Sequence, residues 1–520
     1  MLPVPPAKIL LINPPIAKPT EPPAGIARLA GALELHGVPF RLLDGNLEAV
    51  LHLLERQPSV SDTWTRRAWK HRDANRKALC DLKTYGVRDR YVRAVNDLNH
   101  LLVATSRESG AVAGLADYDD PSLSPVRSAD LIAAAERFDR SVFFPWFSRR
   151  LPELLDGIEM VGFSLNYLSQ ALSTFAMIGF LRKVAPHVAV ILGGGLVTSW
   201  MQRPGWRSPF DGLIHHLVAG PGESPLLSLC GIDGCPPVPA IPRYDLLPLQ
   251  DYLSPGLILP YSAASGCYWN RCSFCPEQAE GGGYRPLPVA QAVTELHALR
   301  ERWQPALIHL LDSAVSPALL QALVDAPPGA PWYGFTRMTG PLEDPGFCRV
   351  LRRSGCVMLK LGLESGDQGV LDQLHKGVDL ATASRILGNL REAGIAVYLY
   401  LLFGTPAEGE AEARRTLDFV VRHRDSVNFL NLALFNMPVN AADAKELARD
   451  DFYEGDLSLY TAFRHPRGWE RKDVRRFMNS VFMRHPAVAD ILRNDPPFFT
   501  SNHAPFFTAG FQEPGCGTDS

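Results

Sequence analysis

Two rhythms of apolar and polar positions run through this chain. The first opens with KILLINPP (8–15), passes into the helix-spaced GIARLAGALELHG (25–37) and returns to PFRLLDGN (39–46), which predicts a β-α-β start. It resumes with EMVGFSLNY (159–167), the helical QALSTFAMIGFLRKVAP (170–186), the strand VAVILGGG (188–195) and LIHHLVAGPGE (213–223). Strands that are apolar throughout and separated by helices predict a parallel, doubly wound sheet covered on both faces, an α/β domain over 1–233. Residues 57–150 interrupt it. Over 57–110 they carry 11 Lys/Arg against 6 Asp/Glu, and RDRYVRAVNDLNHLL has helical spacing. We read a largely helical insertion whose basic side is a solvated helix surface, with a partner or polar substrate as the alternative.

The second rhythm begins after a linker at 234–256, whose stretch GCPPVPAIPRYDLLPLQDY holds five prolines and is expected to run extended between two folded bodies. Six strand candidates follow, each separated by a helical segment: LILPYSAASGC (257–267), LIHLLDS (307–313), PWYGFTRM (331–338), VMLKLGLESG (357–366), IAVYLYLLFGTP (395–406) and VNFLNLALFNMP (427–438). That alternation predicts a partial (β/α)6 barrel over 257–440, with its chemistry at the carboxyl ends of the strands. The mainly helical or irregular stretch 441–520 loses the period. Its PPFFTSNHAPFFTAGF reads as an aromatic appendage packed on another surface, with His503 a packed loop histidine.

Composition narrows the function classes. A chain of 520 residues, 46% hydrophobic and 21% charged, is globular and holds several domains. Lys+Arg 52 against Asp+Glu 55 leaves a net charge of −3, which supplies no overall field for nucleic acid or an anionic membrane. No apolar run reaches the roughly 18 residues of a spanning helix, so a soluble, cytoplasmic protein is expected. The nine cysteines are too sparse for a disulfide framework and suit a reducing compartment. Cys80, Cys230, Cys235, Cys348, Cys356 and Cys516 are scattered; Cys348 and Cys356 read as core and Cys516 as a free thiol near the end.

The other three cysteines carry the chemistry. In GCYWNRCSFC, four residues separate Cys267 from Cys272 and two separate Cys272 from Cys275. Three thiolates on one loop can converge on a metal centre. A closed structural zinc site wants a fourth ligand, and no Cys or His stands in the next 20 or so residues. Three ligands suit a four-iron cluster with one iron open to a substrate or cofactor. Zinc completed by a distant residue, or plain reduced core cysteines, are the alternatives.

The segment resembles the signature of the radical S-adenosylmethionine (radical SAM) enzymes, in which three cysteines hold a [4Fe–4S] cluster and an aromatic residue precedes the third, here Phe274. The usual spacing between the first two cysteines is three residues, and this chain has four. The resemblance extends over about 257–440. It implies S-adenosyl-L-methionine contacts at Phe274, at Asp312 ending the second strand, at Arg337 after the third, at Glu364 and Lys376 around the fourth, and at Gly404 and Glu408 in LLFGTPAE.

The amino-terminal half resembles the cobalamin-binding domain that precedes the radical domain in one subclass of these enzymes. ILLINPP, PPAGIARLAGALELHG, VGFSLNYLSQ, VILGGG and GPGES carry the likeness. It implies lining positions at Asn13, Ser164, Asn166, Gly193, Gly194, Gly195, Gly220 and Glu223, although turns need glycines whether or not anything binds. The Asp-x-His-x-x-Gly signature of other cobalamin proteins is absent from the loop after the first strand.

Together these resemblances imply a radical SAM methyltransferase that moves a methyl group from methylcobalamin to an unactivated carbon or phosphorus centre, with the cofactors supplying the reactivity. An external one-electron donor such as a flavodoxin or ferredoxin would reduce the cluster, and the substrate is a small molecule, lipid or peptide. A non-methylating cyclisation, rearrangement, oxidation or carbon–carbon coupling is the second reading. A non-catalytic iron–sulfur sensing or interaction protein is the third. No residue is singled out for hydrogen or proton transfer.

Overall fold

The computed structural model describes residues 8–59, 62–234, 240–451, 455–497 and 503–508. It divides into two compact units: the chain up to Gly256 together with a short stretch around 455–459, and the remainder from Leu257.

In the first unit, β1 (Ile9–Asn13), β2 (Phe40–Asp44), β3 (Met160–Ser164), β4 (Ala189–Gly193) and β5 (His216–Leu217) form one sheet in the order β2-β1-β3-β4-β5. Every pairing is parallel. All five residues of ILLIN in β1 are buried, as a strand covered on both faces requires. Helix Leu168–Val184 keeps twelve successive residues buried from Gln170 to Leu181, because helices of the insertion lie on it as well as the sheet. The insertion is helical, as its spacing predicts, with helices Thr63–Leu79 and Arg88–Arg107 packed together and a two-residue hairpin, Val112–Ala113 with Tyr118–Asp119, beyond them.

The described part of the linker is irregular but not a free tether. Tyr244 and Tyr252 are buried, the Tyr252 hydroxyl donates to Asp44 at 2.6 Å, and the Leu253 amide donates to the Pro19 carbonyl at 2.8 Å. Two large rings bury more apolar area than an extended strand in solvent could, which holds residues 240–256 on the first unit.

The second unit is built on six parallel strands: β6 (Ile258–Tyr261), β7 (Leu307–Leu310), β8 (Trp332–Thr336), β9 (Cys356–Glu364), β10 (Ala396–Phe403) and β11 (Phe429–Leu434). They stand in sequence order, β11-β10-β9-β8-β7-β6, with a helix after each of the first five, so the predicted partial barrel is present. Its core gathers Ile258, Leu307, Tyr333, Met358, Tyr398 and Phe429 from all six strands, and Ala504 joins them. The 3-10 turn Ala504–Phe507 therefore packs on this cluster, and His503 lies 4.3 Å from the Tyr398 ring and 4.4 Å from the Phe429 ring. That is the packed histidine expected of the aromatic appendage. Cys348 and Cys356 are fully buried, as read from the sequence; Cys235 and Cys516 lie outside the described residues.

Candidate radical SAM site

The cysteine loop leaves β6 and docks on the segment between β9 and the next long helix. The Ser273 amide donates to the Leu374 carbonyl at 3.1 Å, and the Trp269 indole N–H donates to the His375 carbonyl at 2.9 Å. Cys272 is buried, while Cys267 and Cys275 are part-buried, and the Cys275 amide turns back to the Cys272 carbonyl at 3.1 Å. Burial pushes the Cys272 thiol up against the pull of the Lys376 and Arg337 cations, and Cys267 interacts with it electrostatically. Burial also raises the Cys275 thiol, opposed by the backbone N–H groups of Gln278 and Glu277. Cys272 thus stands between two thiol neighbours with two cations facing it.

The strand ends of β8 and β9 complete this corner. Glu364 and Lys376 form an ion pair of 2.7 Å with side chains 12% and 9% exposed, and the Lys376 ammonium sits 5.5 Å from the Phe274 ring centre. Glu364 holds a left-handed backbone (φ 69°) at a register shift between β9 and β10, which turns its carboxylate out of the strand alternation. The Arg337 guanidinium reaches the Cys272 sulfur at 3.9 Å and also donates to the carbonyls of Lys376 and Gly377. Of the positions implied for S-adenosylmethionine, Phe274, Arg337, Glu364 and Lys376 are brought together here.

Gly404 and Glu408 form a separate small turn. The Gly404 amide donates to Oε2 of Glu408 at 2.6 Å, Oε1 is buried without a partner, and burial pushes the carboxyl up to about 8. Phe274 packs against Ala407 with Val370 and Leu374, which joins this turn to the cysteine loop. Beyond Gly404 lies a cavity of about 190 Å³ walled by Phe435, Phe463, Trp469 and Arg471. Asp312 is placed apart from the ion pair. Its carboxylate accepts from the Ala263 amide at 3.1 Å and lines a larger cavity of about 560 Å³ with Tyr268 and Tyr284.

In the first unit, the loops after β3 and β4 are tied together. Asn166 Oδ1 accepts from the Gly195 amide at 2.9 Å, Asn166 Nδ2 donates to Ser164 Oγ at 3.1 Å, and the Leu165 amide donates to the Gly193 carbonyl at 2.7 Å. Gly194 (φ 109°) passes so close to Leu165 that a Cβ there would stand 2.4 Å from the Leu165 carbonyl oxygen. Thr198 links this cluster to Gly220, whose amide donates to its hydroxyl at 2.9 Å, and Glu223 opens the helix Glu223–Leu229 nearby in sequence. Asn13 is elsewhere. It is buried, donates to Asp44 at 2.9 Å and accepts from Gln170, whose side chain also closes on the Pro14 carbonyl. These bonds tie the end of β1 to Asp44 and to Gln170 beside the switch point between β1 and β3.

Sequence reasoning passed over two features. Trp269 is one; its signal was the fourth residue in a spacer that usually has three. The other is Lys360 in the middle of β9, which lies 3.0 Å from His309 Nε2, with His309 stacked on Tyr333 at 4.3 Å. A lysine inside VMLKLGLE was visible as a charge in an apolar strand.

Residues 261–420 match the Radical SAM superfamily. A radical SAM domain therefore occupies this part of the chain. The chain's sequence is 27% identical over 175 residues to a bacteriochlorophyllide d C-12(1)-methyltransferase of Chlorobaculum tepidum, covering 32% of this chain and 38% of that one. It is 23% identical over 300 residues to an anaerobic magnesium-protoporphyrin IX monomethyl ester cyclase of Rubrivivax gelatinosus, covering 53% and 51%. The matches thus span about half or less of these relatives. Among solved structures, the radical SAM methyltransferase TsrM from Kitasatospora setae, with cobalamin and a [4Fe–4S] cluster bound, superposes with a TM-score of 0.53 at 18% identity over 95% of this chain and 92% of that chain. The cobalamin-dependent radical enzyme OxsB gives 0.57 at 12% identity, covering 92% and 68%. The chain shares their fold.

The donor chemistry on the loop, three cysteine thiols with two of them raised by burial and two cations facing Cys272, fits an iron–sulfur centre held by three thiolates.

Proposed function

We propose that this protein is a cobalamin-dependent radical SAM methyltransferase acting on an unactivated carbon or phosphorus centre. The single observation that carries the proposal is the corner formed by Cys272, Arg337, Glu364, Lys376 and Phe274 at the strand ends of a six-stranded parallel barrel. Cys267, Cys272 and Cys275 would hold a [4Fe–4S] cluster, and Phe274, Arg337, Glu364, Lys376, Gly404, Glu408 and Asp312 are the proposed surroundings of S-adenosyl-L-methionine. The loop cluster of Ser164, Asn166, Gly193, Gly194, Gly195 and Gly220, with Glu223, is the proposed cobalamin face; Asn13 would act behind it. When bound, these groups supply a 5′-deoxyadenosyl radical and a transferable methyl group.

The chain's own residues contribute binding and exclusion. The Glu364–Lys376 pair offers one anion and one cation at fixed separation, which suits a ligand carrying both an amine and a carboxylate. The apolar packing of Phe274 against Val370, Leu374 and Ala407 keeps water from one side of the corner. The reaction would take place in a reducing, cytoplasmic setting with an external one-electron donor; among the described residues no helix is long and apolar enough to cross a membrane.

The test is anaerobic purification after supply of iron, sulfide and cobalamin, followed by iron and cobalt counts and an assay for reductive S-adenosylmethionine cleavage. About four irons and one cobalt per chain, with cleavage, are expected. Four irons without cobalt would overturn the methyltransferase reading in favour of non-methylating radical chemistry, the ring-forming kind named for the Rubrivivax gelatinosus relative. Product mass separates the two, since methylation adds a methyl group.

A further inference from the structure

The four-residue spacer between Cys267 and Cys272 leaves one residue more than the usual loop, and the structure shows where it goes. Asn270 takes a left-handed backbone (φ 45°), which turns Trp269 back over Gly377. The fit is close: a Cβ on Gly377 would stand 2.2 Å from the indole, and Gly377 itself has φ +63°. The indole N–H is fixed by the His375 carbonyl at 2.9 Å, and the Arg337 guanidinium lies 4.2 Å from the ring centre. From that platform Arg337, 5% exposed, reaches the Cys272 sulfur at 3.9 Å while bracing against the Lys376 and Gly377 carbonyls. Its Nε is buried without a partner, so the orientation of the head is set by the ring and the two carbonyls.

We propose that Arg337, seated on Trp269, is a positioning residue that aims an N–H at the Cys272 thiolate and so raises the reduction potential of the cluster held there. The inference rests on the cluster reading above. Hydrogen bonds to ligating sulfur and nearby positive charge both favour the more negative, reduced state of an iron–sulfur cluster. A guanidinium can span sulfur, two carbonyls and a ring face at once because its donors are fanned in one plane; an ammonium cannot. Trp269 acts through Arg337: it sets where the fan points.

The experiment is a redox titration of the reconstituted full chain, followed by electron paramagnetic resonance, on wild type, Arg337→Lys, Arg337→Gln and Trp269→Phe, with iron counted in each. Expected is full iron in the Lys and Phe variants with a midpoint potential moved to more negative values. The Gln variant should move furthest, because charge and donor geometry are both lost. Phe keeps the ring under Arg337 and loses only the tie to His375, so its shift should be the smallest. Unchanged midpoints in iron-replete variants overturn the proposal and leave the cluster reading intact. A wild-type chain that takes up no iron overturns both. If the Arg337 variants lose iron, the Phe variant decides: a midpoint equal to wild type refutes the inference, and a negative shift supports it.

Discussion

Replacing Lys376 by methionine leaves the Glu364 carboxylate buried without its cation. The pair is 2.7 Å long, both side chains are at most 12% exposed, and Glu364 holds a left-handed backbone at the end of β9. Removing one partner of a buried pair costs about 3–5 kcal/mol, because the remaining charge is uncompensated. Glu364→Gln should cost a comparable amount, since it leaves the Lys376 ammonium buried without its anion, and the double variant should be more stable than either single variant. With a slope near 3 kcal/mol per molar urea, Lys376→Met should lower the unfolding midpoint of the iron-free chain by roughly 1 M or more. The double-mutant cycle over the four proteins should give a coupling of about 2–3 kcal/mol. Losses that simply add would refute the reasoning, because they would mean that each charge is satisfied by something other than its partner.

Cys272→Ala should abolish iron retention while the far-ultraviolet circular dichroism spectrum stays unchanged; retained iron would break the ligand assignment. Gly377→Ala should destabilise by at least 1–2 kcal/mol in denaturant unfolding, the cost of a left-handed non-glycine residue, with the displaced indole adding to it. For Glu408, burial raises the folded-state carboxyl from 4.5 to about 8, so its neutral form favours folding fully below about 4.5 and that contribution is lost as pH rises toward 8. Glu408→Gln should flatten stability measured across this window by roughly 1.4 kcal/mol per unit of separation, and an unchanged slope would place the pH dependence elsewhere. Gly194→Ala should lower the cobalt count of the reconstituted protein, since a Cβ there would stand 2.4 Å from the Leu165 carbonyl oxygen; a wild-type count would separate that loop from cobalamin.

The six strands of the second unit were legible because each is a mostly apolar run, broken at most by single polar residues such as His309, Lys360 and Asn431, and parallel strands covered on both faces leave that trace. The cysteine triad was visible as three thiols within nine residues of one loop, and the cluster it suggests came from the resemblance. The convergence of Arg337, Glu364 and Lys376 was not: they lie on different segments, and only the barrel's closing curvature and the bulge at Glu364 bring them to one corner. Asn13 shows the limit from the other side. Its place at the end of β1 made it an implied lining position, and Gln170, the third residue of the helix Leu168–Val184, donates to its side chain from a distant part of the sequence. Periodicity reports which face of an element is covered, not which polar group on another element completes a hydrogen bond.

The docked segment 240–256 changes how the gene should be cut. A recombinant piece ending at residue 233 would strip Tyr244 and Tyr252 from the first unit, leave Asp44 without a phenol and open a hydrophobic scar beside β2. One that runs to Gly256 carries its own wall, and it is the version to express when the amino-terminal half is studied alone.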